Sequence, residues 1–250
     1  MSLTLFTAAG CARCNIAKKF MREKNLAFEE HDAIGEGKEL FGQFYRAHRG
    51  AILRGTEGIE FPVLADGSEI RQGVAPVIAW LQAGARLDGF IGRSELSKGW
   101  VGGLHVSGGD PAALNEWVAV LGFLKTNGLM LQLDTDGRNA AVLERLLEHG
   151  LGDRVVMDLK GPKPLYGALL GQEIDLQEVD RSMALVAKFP EYRFETTVVP
   201  VPRSGGGSGG HQLLDPGGDR RDGPLAEGDH GQPSAALCPA RFRPSGPPGR

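Results

Sequence analysis

Cysteine is scarce in this chain: 250 residues carry 3. Three thiols do not make a disulfide scaffold, which excludes the small stapled secreted folds. Two of the three form a single C-x-x-C, Cys11 and Cys14, and the chain offers no second cysteine pair. A structural zinc site would want four ligands, and His31, His48 and His105 are single and unpatterned, so the sequence expects no metal site. Charge is also nearly balanced, with a formal net charge of -3, which gives no basis for a nucleic-acid partner. No apolar run approaches the roughly 18 to 20 residues that span a bilayer. The first residues, MSLTLFTAAG, lack a basic leader region, so the sequence expects no signal peptide, no membrane partner and a cytoplasmic location. What remains is an ordinary globular composition, 41% hydrophobic and 24% charged, long enough for one large domain or two ordinary ones.

The first segment, residues 1–84, alternates between strand and helix signals. Leu3 to Thr7 is rich in strand formers. After Cys14, the residues Ile16, Ala17, Phe20 and Met21 fall on one face at helical spacing. Leu26 to Asp32 reads as a strand, and Lys38 to Ile52 as a charged and aromatic helical stretch. Glu60 to Leu64 and Glu69 to Arg71 flank an Asp66-Gly67 turn, a hairpin signal. Ala75 to Leu81 closes the segment as a helix stopped at Gly84. A thiol at a helix N-terminus has its anion stabilised by the dipole and the free N–H groups. Cys11 lies just before the helix and Cys14 in its first turn. That assigns Cys11 as the nucleophile and Cys14 as the resolving thiol, with Arg13 and Lys18 adding positive potential. The other readings of such a pair are half of a zinc or iron–sulfur site, or two inert core thiols.

This order of elements resembles the glutaredoxin-like branch of the thioredoxin fold. The residues that carry the resemblance are Thr4 to Thr7, Cys11 to Cys14, and Phe61-Pro62-Val63 followed by Asp66-Gly67 and Gly73. It implies thiol–disulfide exchange, with a protein or small-molecule disulfide as substrate. It also implies a cis Pro62 facing the cysteine pair, with Phe61, Pro62 and Val63 meeting the substrate; Arg13, between the cysteines, is a further substrate-binding candidate from its charge. Exchange of this kind requires no bound cofactor. The spacer is Ala-Arg, and Gly73 is followed by Val-Ala-Pro-Val where glutathione-using relatives carry an Asp. The reductant implied is therefore a thioredoxin-type reductase as readily as glutathione.

Residues 85–102 are Gly-containing and read as a linker. From residue 103 to 202 the rhythm becomes that of βα units. Short strands at Leu104 to Ser107, Met130 to Leu133, Val155 to Met157 and Phe194 to Val199 alternate with helices at Ala112 to Thr126, around Val142 to Leu147, and at Asp175 to Phe189. That alternation predicts a parallel sheet, so the fold class is α/β throughout. The polar turns after parallel strands share one edge of the sheet. Gly108, Gly109, Asp110, Asp134, Asp136, Asp158 and Lys160 are thereby a candidate ligand rim.

The motifs at Val106 to Pro111, Leu133 to Gly137, Met157 to Pro162 and Glu195 to Pro200, with Tyr166, resemble the radical SAM activating enzymes of glycyl-radical systems. That resemblance implies a partial (βα) barrel and binding of S-adenosylmethionine beside a [4Fe–4S] cluster. No cysteine stands between Gly84 and Gly108, where the family carries C-x-x-x-C-x-x-C. The sequence therefore expects neither the iron–sulfur cluster nor S-adenosylmethionine, and reads this unit as a degenerate domain for partner or ligand binding. The alternatives are an accessory or activase-like protein of an anaerobic glycyl-radical system, and a non-catalytic scaffold.

Periodicity stops at Pro202. Residues 203–250 are about two-fifths Gly and Pro, the composition of a disordered tail. Cys238 lies there and is expected to be a free thiol. Only four strands of the barrel pattern precede this break, and the expectation is a loss of reading frame near Arg203.

Overall fold

The computed structural model describes residues 3–92, 99–170 and 173–196. The expected tail and Cys238, the end of the last motif, and part of the expected linker lie outside the described residues. Two four-stranded sheets organise the chain. The first is mixed. Its strands are β1 (Leu3–Thr7), β2 (Phe28–Asp32), β5 (Val63–Asp66) and β6 (Glu69–Gln72), in the order β2-β1-β5-β6. β1 runs parallel to β2 and antiparallel to β5, and β5 is antiparallel to β6 across the Asp66-Gly67 turn. Pleating sends alternate residues to opposite faces. Leu5 and Leu64 meet α1 (Ala12–Glu23) and α3 (Val74–Ala83) on one side, while Phe6 and Val63 meet α2 (Lys38–Ala47) on the other.

α1 begins at Cys11, whose side chain caps it, and buries Cys14, Ala17, Phe20 and Met21. It stops where Asn25 turns to φ 53, a conformation Asn tolerates better than most residues. The stretch expected to be helical from Lys38 to Ile52 is helical only to Ala47. A two-residue hairpin, β3 (Arg54–Gly55) with β4 (Gly58–Ile59), follows it. Strands this short leave no periodicity to read.

The second sheet is entirely parallel, in the order β10-β9-β8-β7: β7 (Trp100–His105), β8 (Met130–Thr135), β9 (Arg154–Asp158) and β10 (Glu191–Glu195). α4 (Leu114–Thr126), α5 (Ala140–Glu148) and α7 (Leu176–Val186) bury one face of it, and a short α6 (Tyr166–Leu170) follows β9. Leu131, Leu133, Val155 and Met157 point into that core, where they join Trp117, Leu121, Leu143 and Val179. The opposite face carries the half-buried Gln132, Asp134, Arg154, Val156 and Asp158.

The two units share one core. α3 is buried on two sides: Val77 packs into the first sheet, while Ala75, Ile78 and Ala79 belong to the cluster around Trp117. Phe20 of α1 meets Phe123 of α4 edge-on at 5.0 Å. The described part of the segment read as a linker, residues 85–92 and 99–102, is built into this core. Leu87 and Phe90 are fully buried, and Phe90 stacks on Trp117 with ring centroids 4.3 Å apart. Its backbone runs along β7, with the His105 N–H donating to the Phe90 carbonyl at 2.7 Å and the Gly92 N–H to the Gly103 carbonyl at 2.7 Å. No described helix is long and apolar enough to cross a membrane.

Candidate functional site

Cys11 and Cys14 form a disulfide with Cα atoms 5.3 Å apart. A helix N-terminus has N–H groups without intrahelical acceptors, and the Cys11 sulfur takes one of them, the Cys14 N–H at 3.1 Å. The two sulfurs differ in access. Cys14 is 1% exposed, whereas Cys11 is half-buried and open to one side. A close pair with one reachable sulfur suits dithiol chemistry. Opposite Cys11 lies the carbonyl oxygen of Phe61, 3.9 Å from its sulfur, and the Phe61–Pro62 peptide bond is cis.

The sequence-read residues of this site fall into two groups. Cys11, Cys14, Phe61 and Pro62 come together. Val63 lies inside the sheet, paired with Phe6 on one side and Gln72 on the other, so its backbone is already bonded. The Pro62 carbonyl likewise accepts from the Gly73 N–H at 2.8 Å. The Phe61 backbone is the part of this edge that faces the sulfur.

The cations are committed within the protein. Arg13 pairs with Glu60 through one guanidinium nitrogen, and through a second donates to the Trp100 carbonyl at 2.6 Å. Lys18 bonds to Glu30 at 2.7 Å. Burial raises the Glu30 pKa, but the hydrogen bonds from Lys18 and Thr7 outweigh it and hold the carboxyl below its usual range. The positive potential at Cys11 therefore comes from the start of α1, whose first turn holds no acidic residue. Glu60 escaped the sequence reading because its partner is 47 positions away.

The second candidate is the rim at the C-terminal ends of the parallel strands. A cavity of about 470 Å³ opens there between His105, Ser107, Gly108, Asp134, Thr135, Asp136, Arg138, Val156, Asp158, Lys160 and Glu195. Five of the seven sequence-read rim residues line it: Gly108, Asp134, Asp136, Asp158 and Lys160. Gly109 and Asp110 do not. Asp110 accepts from the Ala112 N–H at 2.9 Å and caps the turn leading into α4. Gly109 lies flat against Phe90, and a Cβ there would fall 2.2 Å from the ring. The Gly-Gly pair is thus explained by close packing on residues 89–90, with no ligand required.

Charges on the rim are largely paired. Arg138 clasps Asp136 with contacts of 2.6 to 3.0 Å, and Lys160 pairs with Asp158. Burial pushes the Asp136 carboxyl up, but the Arg138 and Ser107 hydrogen bonds win and lower it. Asp134 accepts a long bond from the Gln132 amide, at 3.3 Å, and burial outweighs this bond and the nearby His105 to keep its carboxyl raised. One oxygen of Asp158 is buried without a hydrogen-bond partner among the described residues. Ser107 ties the edge together, 3.0 Å from the Thr135 hydroxyl and donating to the Arg138 carbonyl at 3.2 Å. Arg138 and Ser107 were not singled out by the sequence, although Arg138 stands only two residues past Asp136.

A [4Fe–4S] cluster does not fit this unit. Its ligands are thiolates, and the two cysteines among the described residues are bonded to each other in the first unit. No group of three or more His, Cys, Asp or Glu residues is arranged to hold a metal ion among the described residues.

No protein-family model and no curated protein matches the chain. Among solved structures, it is similar to the glutaredoxin-like protein NrdH-redoxin from Escherichia coli, described as having a thioredoxin-like activity profile. That similarity spans 30% of this chain and 87% of the other, at 22% identity and a TM-score of 0.24. It is a weak match to a thioredoxin- or glutaredoxin-like fold over part of the chain.

Proposed function

We propose that this protein is a dithiol thiol–disulfide oxidoreductase with an appended binding unit. The observation that carries the reading is the asymmetry of the pair: a reachable Cys11 sulfur at the start of α1 and a buried Cys14 behind it. In the reduced protein, the Cys11 thiolate attacks one sulfur of a substrate disulfide. A mixed disulfide forms, and the other substrate sulfur leaves as a thiolate. Cys14 then attacks the Cys11 sulfur, releasing the second substrate thiolate and closing the Cys11–Cys14 bond. The substrate disulfide gains two electrons, and the protein pair loses them. The Phe61 backbone beside the sulfur guides an extended substrate segment, with Pro62 buried behind it. The cycle is completed by a thioredoxin-type reductase or by glutathione, and no resident cofactor enters it.

The rim cavity supports a binding role for the second unit. It is large enough for a small ligand or a partner side chain, and Asp134, whose carboxyl burial raises, lines it together with His105. Insulin reduction by the wild type, Cys11→Ser and Cys14→Ser, with each reductant offered separately, tests the reading. Loss of turnover in both variants, with Cys14→Ser retaining activity toward monothiol mixed disulfides, is expected. Turnover that survives in Cys11→Ser would overturn it.

A further inference from the structure

Where the two units meet, around Arg13, there is a small polar cavity of about 20 Å³, room for about one water. Arg13, Glu60, Gly73, Val74, Ala75 and Trp100 contribute to its lining. Two sources of positive potential converge on it. One is the Arg13 guanidinium, two residues past Cys11. The other is the first turn of α3. That helix starts at Gly73, which supplies no side-chain cap. Val77 donates to the Gly73 carbonyl, and Pro76 has no N–H. Val74 and Ala75 are thus left with N–H groups that have no intrahelical acceptor. An N-terminus of this kind attracts an anion.

The chain supplies that anion itself. The Glu60 carboxylate pairs with Arg13 and lies against the start of α3, so that a Cβ added to Gly73 would sit 3.3 to 3.4 Å from its oxygens. The Trp100 carbonyl of β7 takes a second Arg13 nitrogen, so the second unit holds the pair in place. Glu60 also precedes Phe61, whose carbonyl is 3.9 Å from the Cys11 sulfur, and its partner Arg13 stands two residues past Cys11, so the ion pair is tied to both sides of the dithiol through the backbone.

We propose that Glu60 is the charge-selecting residue of the dithiol site, filling from within the anion position made by Arg13 and α3 and so denying it to anionic thiols and disulfides. The proposal rests on the dithiol reading above. It predicts that partners reaching Cys11 have a neutral or cationic group next to the reacting sulfur. It also makes β7 of the second unit a wall of the redox site.

The test is the rate at which small thiols open the Cys11–Cys14 bond in the full chain. Mercaptoethanol is neutral, mercaptopropionate is anionic, and each rate is taken per thiolate. The readout is the anionic-to-neutral ratio, which cancels any general change in the reactivity of the pair. Glu60→Gln keeps an acceptor for Arg13 but removes the charge, and should raise that ratio about tenfold at low salt, falling as salt is added. The double variant Glu60→Gln with Arg13→Gln should lose most of the gain. Glu60→Ala provides a second single variant if Glu60→Gln does not fold. An unchanged ratio in a folded Glu60 variant overturns the proposal while leaving the dithiol reading intact. If neither thiol opens the bond in the wild type, or if trapping places the attack elsewhere than Cys11, the dithiol reading itself fails.

Discussion

Asp134 and Asp136 stand two residues apart on the rim, yet the fold treats their charges in opposite ways. Burial raises the Asp134 carboxyl above its ordinary value of 3.8. Its ionisation therefore opposes folding, a cost present above the raised value and absent below 3.8. Asp136 is held below 3.8 by Arg138 despite burial. Its ionisation favours folding, and that contribution is lost as pH falls through its depressed value. Asp134→Asn should raise the thermal midpoint by a few degrees at neutral pH, with the gain shrinking as pH is lowered toward 3.8. Asp136→Asn should lower the midpoint at neutral pH and leave Arg138 without its clasp. Melts of both variants across that range check the signs, and a destabilised Asp134→Asn at neutral pH would show that its charge is paired. The sequence placed both aspartates at strand ends, because parallel-strand topology fixes that edge. Their different environments depend on Arg138, Ser107 and Gln132, whose side-chain directions leave no trace in the pattern. Glu60 was invisible for the same reason, since an ion pair across 47 positions has no local signature.

At the level of elements, helices α5 and α7 depend on each other. Asn139 precedes α5 at φ 65 and makes no side-chain cap. The missing acceptor is Glu178 of α7, which takes the Ala140 N–H at 2.9 Å. Glu178→Ala should cost about 1 kcal/mol, the usual value of a lost cap. Glu178→Gln should lose much less, and denaturant unfolding of the two variants separates a cap from a surface charge. α7 has its own cap in Asp175, which accepts from Gln177 at 2.8 Å, so a local acidic residue sits where the sequence expected this helix to start. The strands and helices that hold the core were legible because their periods of two and 3.6 were regular. What escaped was irregular. The β3–β4 hairpin is too short for a pattern, and Leu87, Phe90 and Ile91 are apolar residues scattered among glycines. In the sequence they look like linker because their burial comes from β7 and Trp117, both distant in sequence.

For the whole molecule, the shared core matters more than the apparent division into units. Ile78 is fully buried and lies in the same cluster as Trp117 and Leu133. Ile78→Ala should cost about 2–5 kcal/mol. Because the cluster spans α3 and the second sheet, the loss should lower both units together. Trp80, on α3, and Trp117, on α4, provide separate fluorescence probes once each is retained alone by replacing the other two tryptophans with Phe. Coincident transitions are expected, whereas two separated transitions would mean that the units fold independently. The same continuity reaches the Cys11–Cys14 pair, since Arg13 is held by Glu60 on one side and by β7 on the other.

The central claim is that Cys11 attacks and Cys14 resolves. Its most direct test is to offer a protein disulfide to reduced Cys14→Ser, quench with acid, and map the adduct by mass spectrometry under non-reducing conditions. The account predicts a stable mixed disulfide on Cys11, with no adduct in Cys11→Ser. An adduct on Cys14 in Cys11→Ser, or none in either variant, would contradict it.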